Sequence, residues 1–312
     1  MNPIRILVLD LLVISLAAQL IPSSSSETDM VKLALVDFMK KLTGPSSPAH
    51  NNISGWNMTT DPCRNEWHGV RCDTSGSVVG IYLSGFQFSG ALDFESLCYV
   101  DSLSLLKLPN NTIRGPIPRN IWRCINLSIL DLSNNRFAGP IPDSIWSLQN
   151  LTLLDLGDNR LSGLIPESVG ELPSLTFVDL HDNQLSGPIP ESIARSTDRV
   201  SGLPLRIFRA ENNRLSGPIP GFDFYILSEF NVSNNDLTGP IPAQAASSGS
   251  FAADCFMGNP DLCGEPLPYS CPLPLVQSPI PSGLPGRTRL GLVMMVYCSL
   301  GVSVFSFLFR FI

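Results

Sequence analysis

One motif recurs seven times in this chain, at a spacing that few folds can accommodate. The segments LDLSNNRFAGPIP (residues 130–142), LDLGDNRLSGLIP (154–166) and VDLHDNQLSGPIP (178–190) follow one another every 24 residues, and related segments occupy 81–91, 106–118, 208–220 and 230–242. A fixed period of this length is typical of solenoids, in which one repeat cannot bury its apolar face alone and stacked neighbours bury it together.

Each residue type in the motif has a physical role. Leu130 and Leu132 alternate with Asp131, which is the periodicity of a strand. Gly permits a tight turn after the strand, and Pro is expected to stop a helix from propagating after the Ile. One Asn per repeat can donate and accept hydrogen bonds inside the coil, at positions 111, 135, 159, 183, 213 and 235. One Ile per repeat predicts an internal column at positions 117, 141, 165, 189, 219 and 241.

The motif resembles the pattern LxxLxLSxNxLSGxIP of plant receptor-like kinases and receptor-like proteins, and the match covers residues 78–242. The resemblance implies an α/β solenoid, a right-handed plant-type leucine-rich-repeat superhelix of about seven 24-residue repeats with disulfide caps. DPCRNEWHGVRCD (61–73) is similar to the amino-terminal cap of such ectodomains, and the similarity implies that Cys63 pairs with Cys72. FAADCFMGNPDLCGEPLPYSCP (251–272) is similar to the carboxy-terminal cap of one receptor-kinase subgroup, which implies that Cys263 pairs with Cys271.

The other four cysteines leave alternatives open. No His–Cys spacing of the zinc type accompanies them, so an oxidising compartment is the simpler interpretation. Cys98 and Cys124 are either buried thiols or a bridge between neighbouring coils, which stack about 4.8 Å apart. Cys255 replaces a Ser of the cap pattern and is either a free thiol or a competitor in pairing, while Cys298 lies in an apolar tail.

The sequence outside the repeats predicts secretion and attachment to a membrane. Arg5 precedes an apolar run and small residues, as in a secretory signal. Six N-x-S/T sequons agree with secretion, at Asn52, Asn57, Asn110, Asn126, Asn150 and Asn231. Residues 290–309 are uncharged and form either a transmembrane helix, which we favour, or a glycolipid-anchor signal with attachment near Ser282 or Gly283.

These observations divide the chain into six parts. They are a signal peptide (1–26), an amino-terminal cap (27–77), the leucine-rich repeats (78–244), a carboxy-terminal cap (245–272), a Pro/Ser/Gly stalk (273–289) and the apolar segment (290–309). Apolar residues at helical spacing predict a cap helix from Thr28 to Leu42, with Ser26 or Thr28 as its N-cap. The spacing lengthens between Gly187 and Gly217, and we interpret residues 194–202 as a tolerated insertion.

The sequence offers no catalytic motif. The net charge of −7 argues against nucleic acid as a partner, because phosphate binding needs clustered Lys and Arg. None of the three His residues stands beside a nucleophile or a set of metal ligands, and His181 is interpreted as a surface residue. Neither a phosphate-binding Gly loop with Lys nor the kinase signatures occur. We therefore predict no enzyme, no cofactor and no metal site.

The outer positions of the strands form columns across the repeats. One column contains the apolar residues Leu105, Ile129, Leu153, Phe177 and Ile207, and the next contains the acids Asp131, Asp155 and Asp179. An exposed apolar stripe often marks a binding site, and like charges on adjacent strands are unfavourable. The hypothesis is that the concave face holds an extended peptide, with basic groups near the acids. The alternative is that repetition alone produces these columns.

The resemblance implies a cell-surface receptor-like protein at the plasma membrane, with most of the chain outside. Such a protein binds an extracellular peptide or protein ligand and signals through a partner or co-receptor kinase. Two alternatives come from other classes: a glycolipid-anchored or secreted binder that inhibits a foreign cell-wall enzyme, and a truncated receptor-kinase product.

Overall fold

Two ladders of short parallel strands, stacked at the period of the motif, organise this chain. In the computed structural model the described residues are 24–44, 53–195 and 205–272. The chain divides into a unit of Met1–Cys271 and a unit of Pro272–Ile312, and only the first is described below. The expected signal peptide up to residue 23, Asn52, most of the insertion, the stalk and the apolar segment 290–309 lie outside the described residues.

The larger sheet has eight strands, numbered with those of the second sheet as β1 to β15 along the chain. Its order is β1 (Val70–Cys72), β2 (Val78–Tyr82), β3 (Leu105–Lys107), β5 (Ile129–Asp131), β7 (Leu153–Asp155), β9 (Phe177–Asp179), β11 (Ile207–Arg209) and β13 (Glu229–Asn231). Strand β1 is antiparallel to β2, and each later pair is parallel. The central residue of each three-residue repeat strand is buried, so one face of the sheet covers the core.

The second sheet is built from the strand that follows the regularly spaced Asn of each repeat. It comprises β4 (Arg114–Gly115), β6 (Arg136–Gly139), β8 (Arg160–Gly163), β10 (Gln184–Pro188), β12 (Arg214–Gly217), β14 (Asp236–Pro240) and β15 (Asp261–Cys263). The predicted column of six Ile residues is buried, with exposures of 2–6%. The solenoid predicted from the period is therefore confirmed.

Short helical segments connect the second sheet back to the first within the repeats, whereas a long helix and a π turn precede the first strand. The α-helices are α1 (Ser24–Thr43), α2 (Phe94–Leu97), α3 (Glu191–Arg195) and α4 (Ala243–Ser247); 3₁₀ turns span Arg119–Arg123, Asp143–Ser147, Glu167–Glu171 and Ala253–Cys255, and a π turn spans Pro62–Glu66. The expectation that Pro stops a helix was wrong, because Pro118, Pro142 and Pro166 stand immediately before a 3₁₀ turn. Each of these Pro residues is the N-cap of its turn, with extended backbone (φ −66° and ψ 137° at Pro118), where a missing N–H is no loss because that group would have no partner within the helix.

The buried Asn side chains join each coil to the one before it. The Asn159 amide donates to the carbonyl of Leu132 in the preceding coil at 3.0 Å and to that of Leu156 in its own coil at 3.1 Å. Its Oδ1 accepts from the Phe137 backbone N–H at 3.0 Å. The same bonds recur at Asn111, Asn135, Asn183, Asn213 and Asn235. The predicted role of the repeated Asn is confirmed.

Two backbone positions per repeat have positive φ. The residue before the buried Asn is left-handed, with φ of 52° at Asn134 and 50° at Asp158. The repeated Gly is also left-handed, with φ of 91° at Gly139. Asn, Asp and Gly tolerate this region best, which explains their recurrence at the two turns.

Helix α1 covers the amino-terminal end of the core. It begins at Ser24, so Ser26 and Thr28 lie inside it, and the prediction that one of them is the N-cap was wrong. Leu35, Phe38 and Leu42 are fully buried on its inner face. The helix reaches the first coil so closely that a Cβ on Gly90 would overlap the carbonyl of Lys41.

Three disulfides secure the described chain. Cys63 is bonded to Cys72 and Cys263 to Cys271, which are the pairs that the resemblance implies. Cys98 is bonded to Cys124 across neighbouring coils, with 4.7 Å between their Cα atoms. The structure therefore selects the bridge over buried thiols for this pair, while Cys255 forms no disulfide.

Candidate functional site

The two predicted columns lie in register on the face of the larger sheet that points away from the core. Leu105 pairs with Ile129, Ile129 with Leu153, Leu153 with Phe177, and Phe177 with Ile207. The pairing continues from β9 to β11, although the insertion separates these strands in sequence. All five apolar side chains are half-buried, so the stripe is less exposed than the strand positions suggested, because neighbouring side chains shield one another.

The acidic column lies beside the apolar one, with a cation at each end. Asp131, Asp155 and Asp179 pair across β5, β7 and β9, and the column continues to Lys107 on β3 and Arg209 on β11. Asp131 and Asp155 are half-buried. The Asp131 carboxylate accepts from the Ser133 hydroxyl at 2.7 Å, and that of Asp155 accepts from the Gly157 backbone N–H at 3.0 Å.

Asp179 differs from the other two acids because it is buried. The Arg209 guanidinium contacts its carboxylate at 3.1 Å, and Nδ1 of His181 contacts it at 2.5 Å. The same guanidinium contacts Glu211 at 2.9 Å and Glu229 at 3.3 Å. Our expectation that Asp179 offers an exposed charge was wrong, since this network of the chain's own residues neutralises it.

His181 is part of this network and not an isolated surface residue. Its side chain is 21% exposed, and its ring lies over Gly157 on the neighbouring coil. A Cβ at position 157 would overlap the ring atoms Cε1 and Nδ1. The repeats at Ser133 and Ser233 carry a side chain at the equivalent position, so Gly157 makes room for the imidazole.

Burial and charge shift two pKa values on this face. Burial raises the pKa of Asp155 to about 6, and the nearby carboxylates of Asp179 and Asp131 act in the same direction. The hydrogen bond to Asp179 raises the pKa of His181 above its ordinary value. The face therefore changes its charge in the mildly acidic range.

The remaining site predictions are the glycosylation sequons and the expected absence of a metal site. Asn57, Asn110, Asn126 and Asn150 are exposed, whereas Asn231 is half-buried at the end of the acidic column. Across the described residues, no three His, Cys, Asp or Glu side chains gather in a way that could hold a metal ion. Over the same residues, no helix has both the length and the apolar character needed to cross a bilayer.

The sequence analysis did not identify the network around Arg209. Arg209 continues the acidic column, Glu229 continues the apolar column, and Glu211 occupies the repeat position of His181, so the repeat period places all three near this face. Their mutual pairing depends on side-chain directions between β9, β11 and β13, which the period does not specify. The available signal was the opposite charge of Asp179 and Arg209 at paired positions of one column, with Glu211 two residues further along the chain.

Comparisons with known proteins agree with the geometry. The leucine rich repeat family profile matches residues 125–185, and the leucine rich repeat N-terminal domain profile matches residues 32–73. Two curated relatives from Arabidopsis thaliana are similar over 22% of this chain: pollen receptor-like kinase 3, 33% identical over 67 residues, and pollen receptor-like kinase 2, 40% identical over 68 residues. These matches span only 11% and 10% of the relatives' own lengths.

Two solved structures share the fold. A crystal structure of a pollen receptor kinase 3 is 30% identical, with a TM-score of 0.54, and the match covers 76% of this chain and 99% of that one. The ectodomain of the plant membrane receptor kinase GASSHO1/SCHENGEN3 from Arabidopsis thaliana is 29% identical, with a TM-score of 0.62, and the match covers 71% of this chain and 26% of that one.

We call the face that carries the columns Leu105–Ile207 and Asp131–Asp179 the strand face. The repeat, the disulfide-bonded cap and the strand face thus occur together in one solenoid that matches a solved receptor chain over almost all of that chain's length. This chain belongs to the leucine-rich-repeat ectodomains of plant receptor-like kinases and receptor-like proteins.

Proposed function

We propose that this chain acts at the cell surface as the ligand-binding part of a receptor-like protein, and that its ligand is an extended peptide. The observation that carries the proposal is the apolar column in register beside the carboxylates of Asp131 and Asp155, on the face of the sheet that points away from the core. The ectodomain of GASSHO1/SCHENGEN3, a structural relative, was solved in complex with CASPARIAN STRIP INTEGRITY FACTOR 2, which supports a role in ligand binding.

The dimensions of the face suit a short extended segment. Five parallel strands at about 4.8 Å spacing give a track of roughly 19 Å from Leu105 to Ile207. An extended chain advances about 3.3 Å per residue, so a segment of about six residues would cross all five strands. Apolar side chains of the peptide would contact Leu153 and Phe177, the centre of the column.

The negative charge of the face favours a ligand that carries a positive charge. Asp179 is neutralised by Arg209 and His181, whereas Asp131 and Asp155 make no ion pair with another described residue. A Lys or Arg side chain of the ligand would therefore sit over Asp131 and Asp155. Its positive charge would relieve the repulsion between these two acids on adjacent strands.

The same proposal includes a kinase as signalling partner and a membrane attachment. It assigns binding and no catalysis to this chain. Sequence similarity to receptor-like kinases supports the partner kinase, and the uncharged segment at 290–309 supports the attachment to a membrane.

Binding of synthetic peptides to the full chain tests the proposed face. The probes are six- to eight-residue peptides with one Lys or Arg and two apolar residues, together with charge-reversed Glu versions. Asp155→Lys and Phe177→Ala should each raise Kd about fivefold or more, since a lost ion pair or aromatic contact is worth about 1–3 kcal/mol.

The matched control variants are Asp236→Lys and Leu164→Ala, an exposed acid and an exposed apolar residue on the side of the second sheet. They should leave Kd unchanged, and thermal unfolding should show that all four variants fold. Equal affinity of the parent chain and the Asp155 and Phe177 variants for every bound peptide would refute the proposed face.

A further inference from the structure

A cleft of about 300 Å³ lies on a different surface, between the first two coils and away from the strand face. Its apolar walls are Tyr99, Trp122 and Ile125, whose exposures are 60%, 54% and 65%. Its polar rim consists of Glu95, Asp101 and Arg123. Three large apolar side chains exposed in one cleft are typical of a surface that contacts another group.

The walls of this cleft are held in place covalently. Tyr99 adjoins Cys98, and Arg123 and Ile125 flank Cys124, so the Cys98–Cys124 disulfide fixes both sides. The cleft is also specific to this part of the array. One coil further, the position of Trp122 is taken by Trp146, which is 2% exposed, and the position of Ile125 by the polar Gln149. The exposed apolar character is therefore not a general property of the repeat.

A glycosylation sequon opens onto the rim of the cleft. Asn126 follows Ile125, is exposed, and begins the sequence Asn-Leu-Ser. Its side-chain nitrogen Nδ2, to which a glycan is attached, lies 2.8 Å from the backbone carbonyl of Asp101, a lining residue. A glycosylated amide keeps one N–H, so this hydrogen bond is compatible with the modification.

We propose that the N-linked glycan of Asn126 folds back over this cleft, with its first sugars packed on Trp122, Tyr99 and Ile125. The C–H faces of a hexose carry partial positive charge and match the negative π faces of the aromatic rings. Glu95, Asp101 and Arg123 can accept from and donate to the sugar hydroxyls and the acetamido group. The chain's own modification thereby covers its exposed apolar surface.

This inference rests on the proposed function, because N-glycosylation requires passage through the secretory route. Hydroxyl-radical footprinting of the full chain, expressed in plant cells and read by mass spectrometry, tests it residue by residue. In the glycosylated parent chain, Trp122 and Tyr99 should be oxidised about threefold more slowly than in Asn126→Gln, since a ligand in a cleft covers most of the surface it contacts. Ser128→Ala removes the sequon and keeps Asn126, so it should behave like Asn126→Gln.

Asn57→Gln is the control, because it removes a glycan from the amino-terminal cap and should leave the oxidation of Trp122 at the parent rate. Trp67 and Trp146 are buried and report whether each variant is folded. Equal oxidation of Trp122 with and without the Asn126 glycan would overturn the inference, as would an unmodified Asn126 beside glycosylated Asn57 and Asn150. If none of the three asparagines is modified, the proposed extracellular location fails with it.

Discussion

At the scale of single residues, the three carboxylates of the strand face differ in whether a cation of the same chain balances their charge. Asp179 is paired with Arg209 and His181, but Asp155 is half-buried between two other acids, and among the described residues its hydrogen-bond donor is the backbone N–H of Gly157. The ionised form of Asp155 therefore costs stability in the unliganded protein. A site that is destabilised when empty is well suited to a ligand that brings the missing charge.

Asp155→Asn should stabilise the protein above pH 6 and not below pH 4. The raised pKa of about 6 means that the folded state holds this proton more tightly than the unfolded state. The stability due to that proton is complete below the unfolded pKa and is lost as the pH rises to 6. Asn keeps the acceptor for Gly157, so the free energy of unfolding should rise by about 1–3 kcal/mol at pH 7.5.

Urea unfolding at pH 7.5 and pH 4 measures this difference, with Asp236→Asn, at an exposed acid of β14, as the control. If Asp155→Asn changed the free energy of unfolding equally at both pH values, or at neither, the raised pKa of Asp155 would be contradicted. His181, whose pKa is also raised, contributes a loss of stability with rising pH in the parent and the variant alike.

At the scale of the element, the coil depends on one buried Asn that serves two coils. In Asn159→Ala the Phe137 N–H and the carbonyls of Leu132 and Leu156 lose their side-chain partner in the core. The free energy of unfolding should fall by about 3 kcal/mol, since each buried group left without a partner costs about 1–3 kcal/mol.

Chemical denaturation checks this value against Arg160→Ala, an exposed neighbour on β8 that should change stability by no more than about 0.5 kcal/mol. A similar loss in both variants would show that the amide contributes little.

The repeat elements could be predicted from the sequence, whereas the side of Pro118 on which a helix lies and the burial of Asp179 could not. Period and residue type were sufficient for the Asn ladder, the Ile column and the register of the apolar column, because stacking repeats at a fixed length leaves one alignment. The role of Pro118 was mistaken, since the sequence alone does not say on which side of a Pro the helix lies. The burial of Asp179 was missed because it depends on Arg209, whose guanidinium direction is set by three strands at once.

At the scale of the whole molecule, stability passes from each coil to its neighbours. The amino-terminal cap and the first coil are joined to the second coil by the Cys98–Cys124 disulfide, which links residues 26 positions apart. In a solenoid, contacts between nearest neighbours dominate, so a local weakness spreads no further than the adjacent coils.

The double variant Cys98→Ser, Cys124→Ser should therefore lower the local stability of the amino-terminal end and leave the carboxy-terminal coils unchanged. Closing a loop of this size stabilises the folded state by about 3 kcal/mol. Hydrogen–deuterium exchange should quicken in α1, β2 and α2 and remain unchanged in β12 to β14. Cys255→Ser, which breaks no disulfide, is the control, and a uniform increase along the chain would argue against nearest-neighbour coupling.

The Asn ladder described above also gives the array a polarity. Every ladder amide reaches backward, so a coil is finished only by the coil that follows it. The last repeat obeys the same rule, because Asn259 of the cap accepts from Leu237 N–H and donates to the carbonyl of Val232. The array therefore needs a partner at its carboxy-terminal end, and the cap provides it through the side chain of Asn259.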